Sequence, residues 1–421
     1  MNLILGAGIA GLGAGYVLKR TGIPTIIVEK DVTYGGLCGN FEVGEFRFDR
    51  FVHFSFSQNK QVNKLFSPIA GVIKHIPNPY NIYKKHWIKH PAQNNIYTLS
   101  IDEKKQIIED FKKRPQSVDM NGICSYEDWL RIQYGNYFAE HFPMAYTRKY
   151  WMCEAKELET NWIGDRLYQP SLEEVVQGSQ TLETPVTYYA KEMRYPAKGG
   201  FKAFLDVLVD GADIRYNSEI IEILHAEKKV RVANGKTYQY HRLISSLPLP
   251  EVLKMLKNVP EEVENAAHKL RATCGYQISI GLSTKNIPPY LWWYIYDEDI
   301  LPARVYSPSL KSSDNAPEGC SSLQLEIYCE QNKYSEEELI NQSVGKLVKI
   351  GVIKQEDILF VDVRYEKYAN VIFDHNIYQA RNIVREYISS IGIETIGRFG
   401  EWGYLWSDQS LLSGLNVVKY E

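Results

Sequence analysis

No stretch of this chain approaches the roughly 18 consecutive apolar residues of a membrane-spanning helix. Cysteine is sparse: Cys38, Cys124, Cys153, Cys274, Cys320 and Cys329 fall at scattered spacings with no C-x-x-C pair. That excludes a disulfide framework and a cysteine-built zinc site, so no metal is expected and a reducing compartment is. An excess of charge of one sign is missing too. A formal net charge of −3 argues against a nucleic-acid binder held by bulk electrostatics. The first apolar run starts one residue after Met1, which leaves no room for a signal peptide. A soluble, cytoplasmic protein is the expectation.

What the chain does have is ordinary globular composition, 44% hydrophobic and 24% charged over 421 residues, enough for two or three domains. Thirty tyrosines and eight tryptophans suit a cleft lined by flat amphipathic rings, although most are expected to pack in cores or on the surface. The most informative stretch is the first thirty-nine residues. Asn2 to Leu5 reads as a buried parallel strand, Gly6-Ala7-Gly8-Ile9-Ala10-Gly11 as a tight turn, and Leu12 to Arg20 as a helix. Thr25 to Val28 is a second strand, closed by Glu29, eighteen residues past Gly11. This strand–turn–helix–strand–acid unit binds the ADP half of a dinucleotide. Gly6 permits the turn, Gly8 admits a pyrophosphate and Gly11 lets helix and strand pack. The helix N-terminus around Ile9 and Ala10 presents amides to phosphate, and Glu29 suits ribose hydroxyls.

Glu29 is followed by Lys30 and then by Gly35-Gly36-Leu37. This Glu-x5-Gly-Gly extension resembles the FAD-dependent superfamily of amine oxidases, protoporphyrinogen oxidases, phytoene desaturases and UDP-galactopyranose mutases. The resemblance implies FAD as cofactor, with the glycine pair beside its phosphates and ribityl. Many members carry Arg where this chain has Leu37. It also implies an α/β fold with a Rossmann-like FAD domain of the glutathione-reductase type, interleaved with an α+β substrate domain. The FAD domain is expected over residues 1–56, 197–272 and 385–421, the substrate domain over 57–196 and 273–384.

Along the chain, Asn40 to Phe54 reads as a hairpin, ending in a stretch where Asp49 and His53 match an acid and a histidine that run along the flavin in the family. His53 is either a structural histidine under the flavin or a proton-transferring one. Gln61 to Phe66, Ile101 to Lys113 and Tyr126 to Phe142 read as helices, and Tyr80 to Trp87 as a short strand pair. Tyr146-Thr147-Arg148-Lys149-Tyr150-Trp151, Ala155 to Leu158 and Trp162 to Arg166 resemble a mutase segment that places Trp151 and Arg166 in the substrate cleft; helix packing with a surface arginine is the alternative. Tyr195 to Phe201 resembles the family turn leading into a helix over Lys202 to Val209. Short strands follow, with Asn234-Gly235 a strong hairpin turn. The backbone at Ile220 matches the place where the adenine lies in the family.

Alternation over Gln277 to Leu282, Leu291 to Tyr296, Arg304 to Ser307 and Leu323 to Cys329 predicts a mostly antiparallel sheet, and Glu336 to Leu347 a helix. By resemblance Arg304, Tyr328 and Tyr404 are the expected catalytic positions, and Trp151, Arg166 and Tyr368 the expected substrate contacts. The ending from Ile396 to Ser410 resembles the family's last FAD motif. It implies Gly397 and Arg398 along the cofactor, with Asp408 capping a helix that brings Gln409 and Ser410 to it.

Two chemistries follow. The first is an oxidoreductase passing a hydride from a small organic substrate to flavin N5, with the protein supplying placement and electrostatics. The alternative is a mutase acting on a nucleotide-diphosphate sugar through reduced flavin, with Arg166, Arg304 and Arg398 holding the diphosphate. A flavoprotein without catalysis, such as an assembly partner, is a third class that the retained Arg and Tyr positions disfavour. A small-molecule partner, possibly a nucleotide-linked sugar, is expected.

Overall fold

In the computed structural model, described over residues 1–69, 71–115, 122–188 and 190–418, Asn2–Leu5 is the central strand of a five-stranded sheet. The order is Ile393–Thr395, Arg242–Ser245, Asn2–Leu5, Thr25–Val28, Asp213–Arg215, with every neighbouring pair parallel. A central parallel strand is covered on both faces, so all four residues Asn2–Leu5 are buried. The helix Ile9–Leu18 follows without a side-chain cap at its N-terminus. A side chain on Gly11 would begin 2.0 Å from the Gly6 carbonyl oxygen, so turn and helix can meet only through glycine. The helix Ser407–Leu415 lies against Ile9–Leu18. There a Cβ on Gly414 would stand 2.0 Å from the Ala10 oxygen, which places the two backbones in direct contact.

The second large sheet has seven strands. Its order is Ile358–Val371, Ala272–Leu282, Ser321–Tyr328, Arg304–Tyr306, Trp292–Ile295, Tyr80–Tyr83 and His86–Lys89. All pairs are antiparallel except Trp292–Ile295 with Tyr80–Tyr83. Ser321–Tyr328 is buried at all eight positions. Its odd positions Leu323, Leu325 and Ile327 join an aliphatic core with Leu339 and Leu347. Its even positions Ser322, Gln324, Glu326 and Tyr328 make a polar stripe on the opposite face, since successive side chains alternate.

The α/β class expected from the sequence is borne out, and several local expectations are refined. The run from Tyr126 to Phe142 is not one helix. It is Tyr126–Tyr134, a break at Gly135 with φ +77°, then Asn136–Ala139 and a wide turn Glu140–Met144 containing Pro143. That turn continues into Ala145–Trp151, the helix that carries three aromatic side chains toward the site. The helix expected over Glu336 to Leu347 likewise opens into a wide turn at Asn341–Gly345. Asp408 does not cap its helix. The helix begins at Ser407, and the Gln409 side chain accepts from the Trp406 N–H at 2.9 Å instead. Among the described residues no helix is long and apolar enough to cross a membrane.

Candidate active site

A cavity of about 1070 Å³ runs between the two sheets. One end is built by the N-terminal motif: Gly6, Gly8, Ile9 and Ala10 line it together with Glu29, Lys30, Gly35, Gly36 and Leu37. The glycine pair is laid against the first turn by the Gly35 N–H donating to the Ala7 carbonyl at 2.9 Å. Glu29 is buried, and its carboxylate accepts from the Ala7 N–H at 2.7 Å and the Asp31 N–H at 2.9 Å. Two backbone donors therefore fix the acid at the cavity wall. Ile220, Gly397, Arg398 and Ser410 also line the cavity. Gly11, Asp408 and Gln409 do not: Gly11 serves packing, and the other two sit in the first turn of their helix without reaching the wall. The neighbouring Ser407 does reach it.

These donors fit a dinucleotide-type cofactor. The head of helix Ile9–Leu18 offers amides without a capping side chain, and the Arg398 Nε is buried with no hydrogen-bond partner among the described residues. An unpaired buried guanidinium nitrogen beside free helix amides is a place for an anion. Among the described residues no group of three or more His, Cys, Asp or Glu is placed to hold a metal ion.

His53 lines the cavity, with its ring centroid 5.1 Å from that of Phe201. Its Nδ1 lies 3.3 Å from the Phe51 carbonyl, which can only accept, so Nδ1 carries the hydrogen. Burial pushes its pKa down to about 4, helped by the charges of Lys311 and Arg398 and opposed by Asp49. At neutral pH it is an uncharged imidazole. Asp49 itself stands behind the wall. It is fully buried, accepts from the Phe201 N–H at 3.0 Å and the Tyr195 hydroxyl at 2.7 Å, and pairs with the equally buried Lys311.

The other end of the cavity is aromatic. Trp151, Arg166, Arg304, Tyr328, Tyr368 and Tyr404 all line it, so the substrate-end residues singled out in the sequence are brought together. The Tyr404 ring lies close to two cations, with the Arg166 guanidinium carbon 4.5 Å and that of Arg398 5.4 Å from its centroid. Arg166 donates Nη1 to the Trp162 carbonyl at 2.8 Å and Nη2 to the Tyr404 carbonyl at 3.3 Å. Its Nε is buried without a partner among the described residues. Tyr368 lines the wall with its hydroxyl committed to Glu251 at 2.6 Å.

Arg304 is differently placed. It faces Glu326 in register across two strands and donates Nε at 2.9 Å and Nη2 at 2.6 Å to the same oxygen. Burial works against its charge, but Glu326 prevails and holds its pKa well above the ordinary arginine value. The Tyr328 hydroxyl donates to that oxygen at 2.8 Å. Tyr150 packs edge-on against the Tyr328 ring at 4.9 Å, and Tyr146 stacks on Tyr150 at 5.4 Å.

The sequence reading passed over Glu326, Tyr146 and Tyr150. A signal existed for each. Tyr146 and Tyr150 are four apart in a helix with Trp151, hence on one face. Gln324, Glu326 and Tyr328 alternate with aliphatic residues in a strand, hence form one polar stripe.

Comparison with known proteins adds the following. A family model described as NAD(P)-binding Rossmann-like domain matches residues 4–69, and one described as flavin containing amine oxidoreductase matches residues 137–382. The chain is similar in structure to a reduced UDP-galactopyranose mutase, with a TM-score of 0.92 at 22% identity over 98% of this chain and 92% of that one. It is also similar to a putrescine oxidase variant, with a TM-score of 0.69 at 13% identity over 98% and 97%. In sequence it is 24% identical over 326 residues to a chloroplastic prolycopene isomerase of Daucus carota. That match covers 68% of this chain, which spans about half, 53%, of the curated relative's length.

Proposed function

The chain belongs to the flavin containing amine oxidoreductase family and is a flavin-dependent enzyme. From that premise we propose that it uses FAD to oxidise an anionic small organic substrate, which it holds in the aromatic end of the cavity. The observation that carries this reading is the Arg166 guanidinium 4.5 Å from the Tyr404 centroid, with that of Arg398, at the cofactor end, 5.4 Å from the same ring. Neither has a carboxylate partner among the described residues, and both have a buried, unpaired Nε. A cationic amine would be repelled there, whereas a carboxylate or phosphate would be drawn in.

Bound flavin supplies the hydride-accepting atom. The protein's own residues do the rest. Arg166 anchors the anionic group, and Trp151 and Tyr404, packed edge-on against each other, wall the aromatic end. Arg304 offers a hydrogen bond, while the Tyr328 hydroxyl, which donates to Glu326, can only accept one. His53, neutral and with its hydrogen on Nδ1, leaves Nε2 as an acceptor. Residues 1–56, 197–272 and 385–421 serve the cofactor, and 57–196 with 273–384 the substrate. Six free cysteines suit a reducing cytoplasm.

A second reading is isomerisation of a nucleotide-diphosphate sugar with the flavin kept reduced. The same arginine pair favours it, as does the likeness of fold to the mutase. The compensated Arg304 weighs against it, because a diphosphate would meet one free substrate arginine fewer.

The test is anaerobic incubation of the purified holoprotein with carboxylated or phosphorylated candidate substrates. Bleaching of the oxidised flavin supports oxidation. Isomerised UDP- or TDP-sugar, formed only after dithionite reduction and without net oxidation, replaces it with the mutase reading. A protein that cannot be loaded with FAD would overturn both.

A further inference from the structure

We propose that Glu326 is a specificity-determining positioning residue. It cancels the charge of Arg304, so that the substrate meets Arg304 through an uncharged oxygen and turns its anionic group toward Arg166. The inference rests on the anionic-substrate reading above and adds the direction in which that substrate lies.

Glu326 has no exposed surface, and every strong acceptor position it offers is occupied by the cavity wall. One oxygen takes Arg304 Nε, Arg304 Nη2 and the Tyr328 hydroxyl; the other takes the Val52 N–H at 3.2 Å. A single carboxylate thus ties together a strand-borne arginine, a strand-borne tyrosine and the segment that leads to His53. Only Nη1 of Arg304 makes no hydrogen bond among the described residues, on a side chain that is 18% exposed and lines the cavity. That nitrogen can donate to a hydroxyl or carbonyl oxygen.

An anion approaching the same point meets a pair of zero net charge, with a buried carboxylate directly behind. Of the four arginines on the cavity wall, Arg50 is paired with Asp31 and Glu366 and Arg304 with Glu326, so the two without a carboxylate partner among the described residues are Arg166 and Arg398, both beside Tyr404. The substrate's polarity follows from that asymmetry: neutral oxygen toward Arg304 Nη1, anion toward Arg166.

The experiment titrates inorganic pyrophosphate into the purified holoprotein and follows the perturbation of the flavin absorbance. Glu326→Gln frees the Arg304 charge and is expected to bind pyrophosphate about tenfold more tightly than wild type, the scale of one added charge in a partly screened site. The double variant Arg304→Met with Glu326→Leu removes both charges together and leaves none buried unpaired. It is expected to bind as wild type does, which decides the matter even where Glu326→Gln fails to fold. No tightening in a folded Glu326→Gln protein, or a tenfold loss in the double variant, makes Arg304 itself an anion anchor and overturns the proposal. Arg166→Met, run alongside, separates the two ideas. Unchanged pyrophosphate binding there sinks the anionic-substrate reading, while the Glu326 comparison is still read from its own variants.

Discussion

Arg166 lies over Tyr404, its guanidinium carbon 4.5 Å from the ring centroid, and also donates to the Tyr404 backbone carbonyl. The two residues are far apart in sequence and hold each other at the cavity wall. Cation–π contact of this kind contributes about 0.5–1 kcal/mol at a partly exposed site. It fixes the arginine in place without neutralising its charge.

Arg166→Met should therefore act mainly on binding. With its anchor gone, an anionic substrate is expected to lose about 2 kcal/mol of affinity, seen as a KM some 30-fold higher with kcat changed far less. A fall in kcat at constant KM would assign Arg166 to the reaction step.

The glycine turn makes a sharper prediction. Ala at position 11 would put a methyl carbon 2.0 Å from the Gly6 oxygen, so turn and helix must separate. Gly11→Ala is expected to yield protein with little or no flavin by its absorbance ratio. Full loading would show that the turn tolerates being opened.

His53 links the site to pH. Its folded pKa is about 4 against an ordinary value near 6.5, so between these values the unfolded chain holds a proton that the folded chain does not. Stability then rises with pH across that window and is lost as pH falls from about 6.5 toward 4. His90 is depressed by burial in the same sense, to about 3. Thermal melts from pH 4.5 to 7.5 should show a shallower acid-side loss in His53→Gln than in wild type. Equal slopes would mean that His53 is already protonated in the folded protein.

Behind His53, the ion pair of Lys311 and Asp49 has no exposed surface. Lys311→Met leaves Asp49 with two neutral donors and no cation, a loss that costs about 3–5 kcal/mol for a broken buried pair. The midpoint of urea unfolding should drop accordingly. Asp49→Asn is expected to be milder, because it keeps an acceptor for Phe201 or Tyr195 and burial already pushes the Lys311 amine toward its neutral form.

What could be read in the sequence was what lies close together along it. The first strand, the glycine turn, its helix and Glu29 form one local unit, and each residue type reports its own backbone task. Arg304 and Tyr328 could be placed in the cleft through likeness to other proteins, but their coupling could not. It arises because Glu326 pairs in register with Arg304 from the strand Ser321–Tyr328, which the chain reaches only after the segment 307–320. The helix break at Gly135 had a visible cause in the glycine, and the wide turn at Glu140–Met144 contains the equally visible Pro143. Asp408 misled for a different reason: an acid near a helix start is a good cap by type, yet the helix begins at Ser407 and its cap position falls on Trp406, two residues earlier.

The contact between Gly414 and Ala10 has a consequence for the order of events during biosynthesis. The groove that takes the cofactor is walled on one side by residues 6–10 and on the other by residues 397–410. Some 390 residues must therefore leave the ribosome before the first-made turn gains its second wall. Through that interval the turn is held by the glycine pair alone on one side, so flavin capture waits for docking of the helix Ser407–Leu415. Removing that helix should give a chain that is made but stays colourless, whatever the flavin supply.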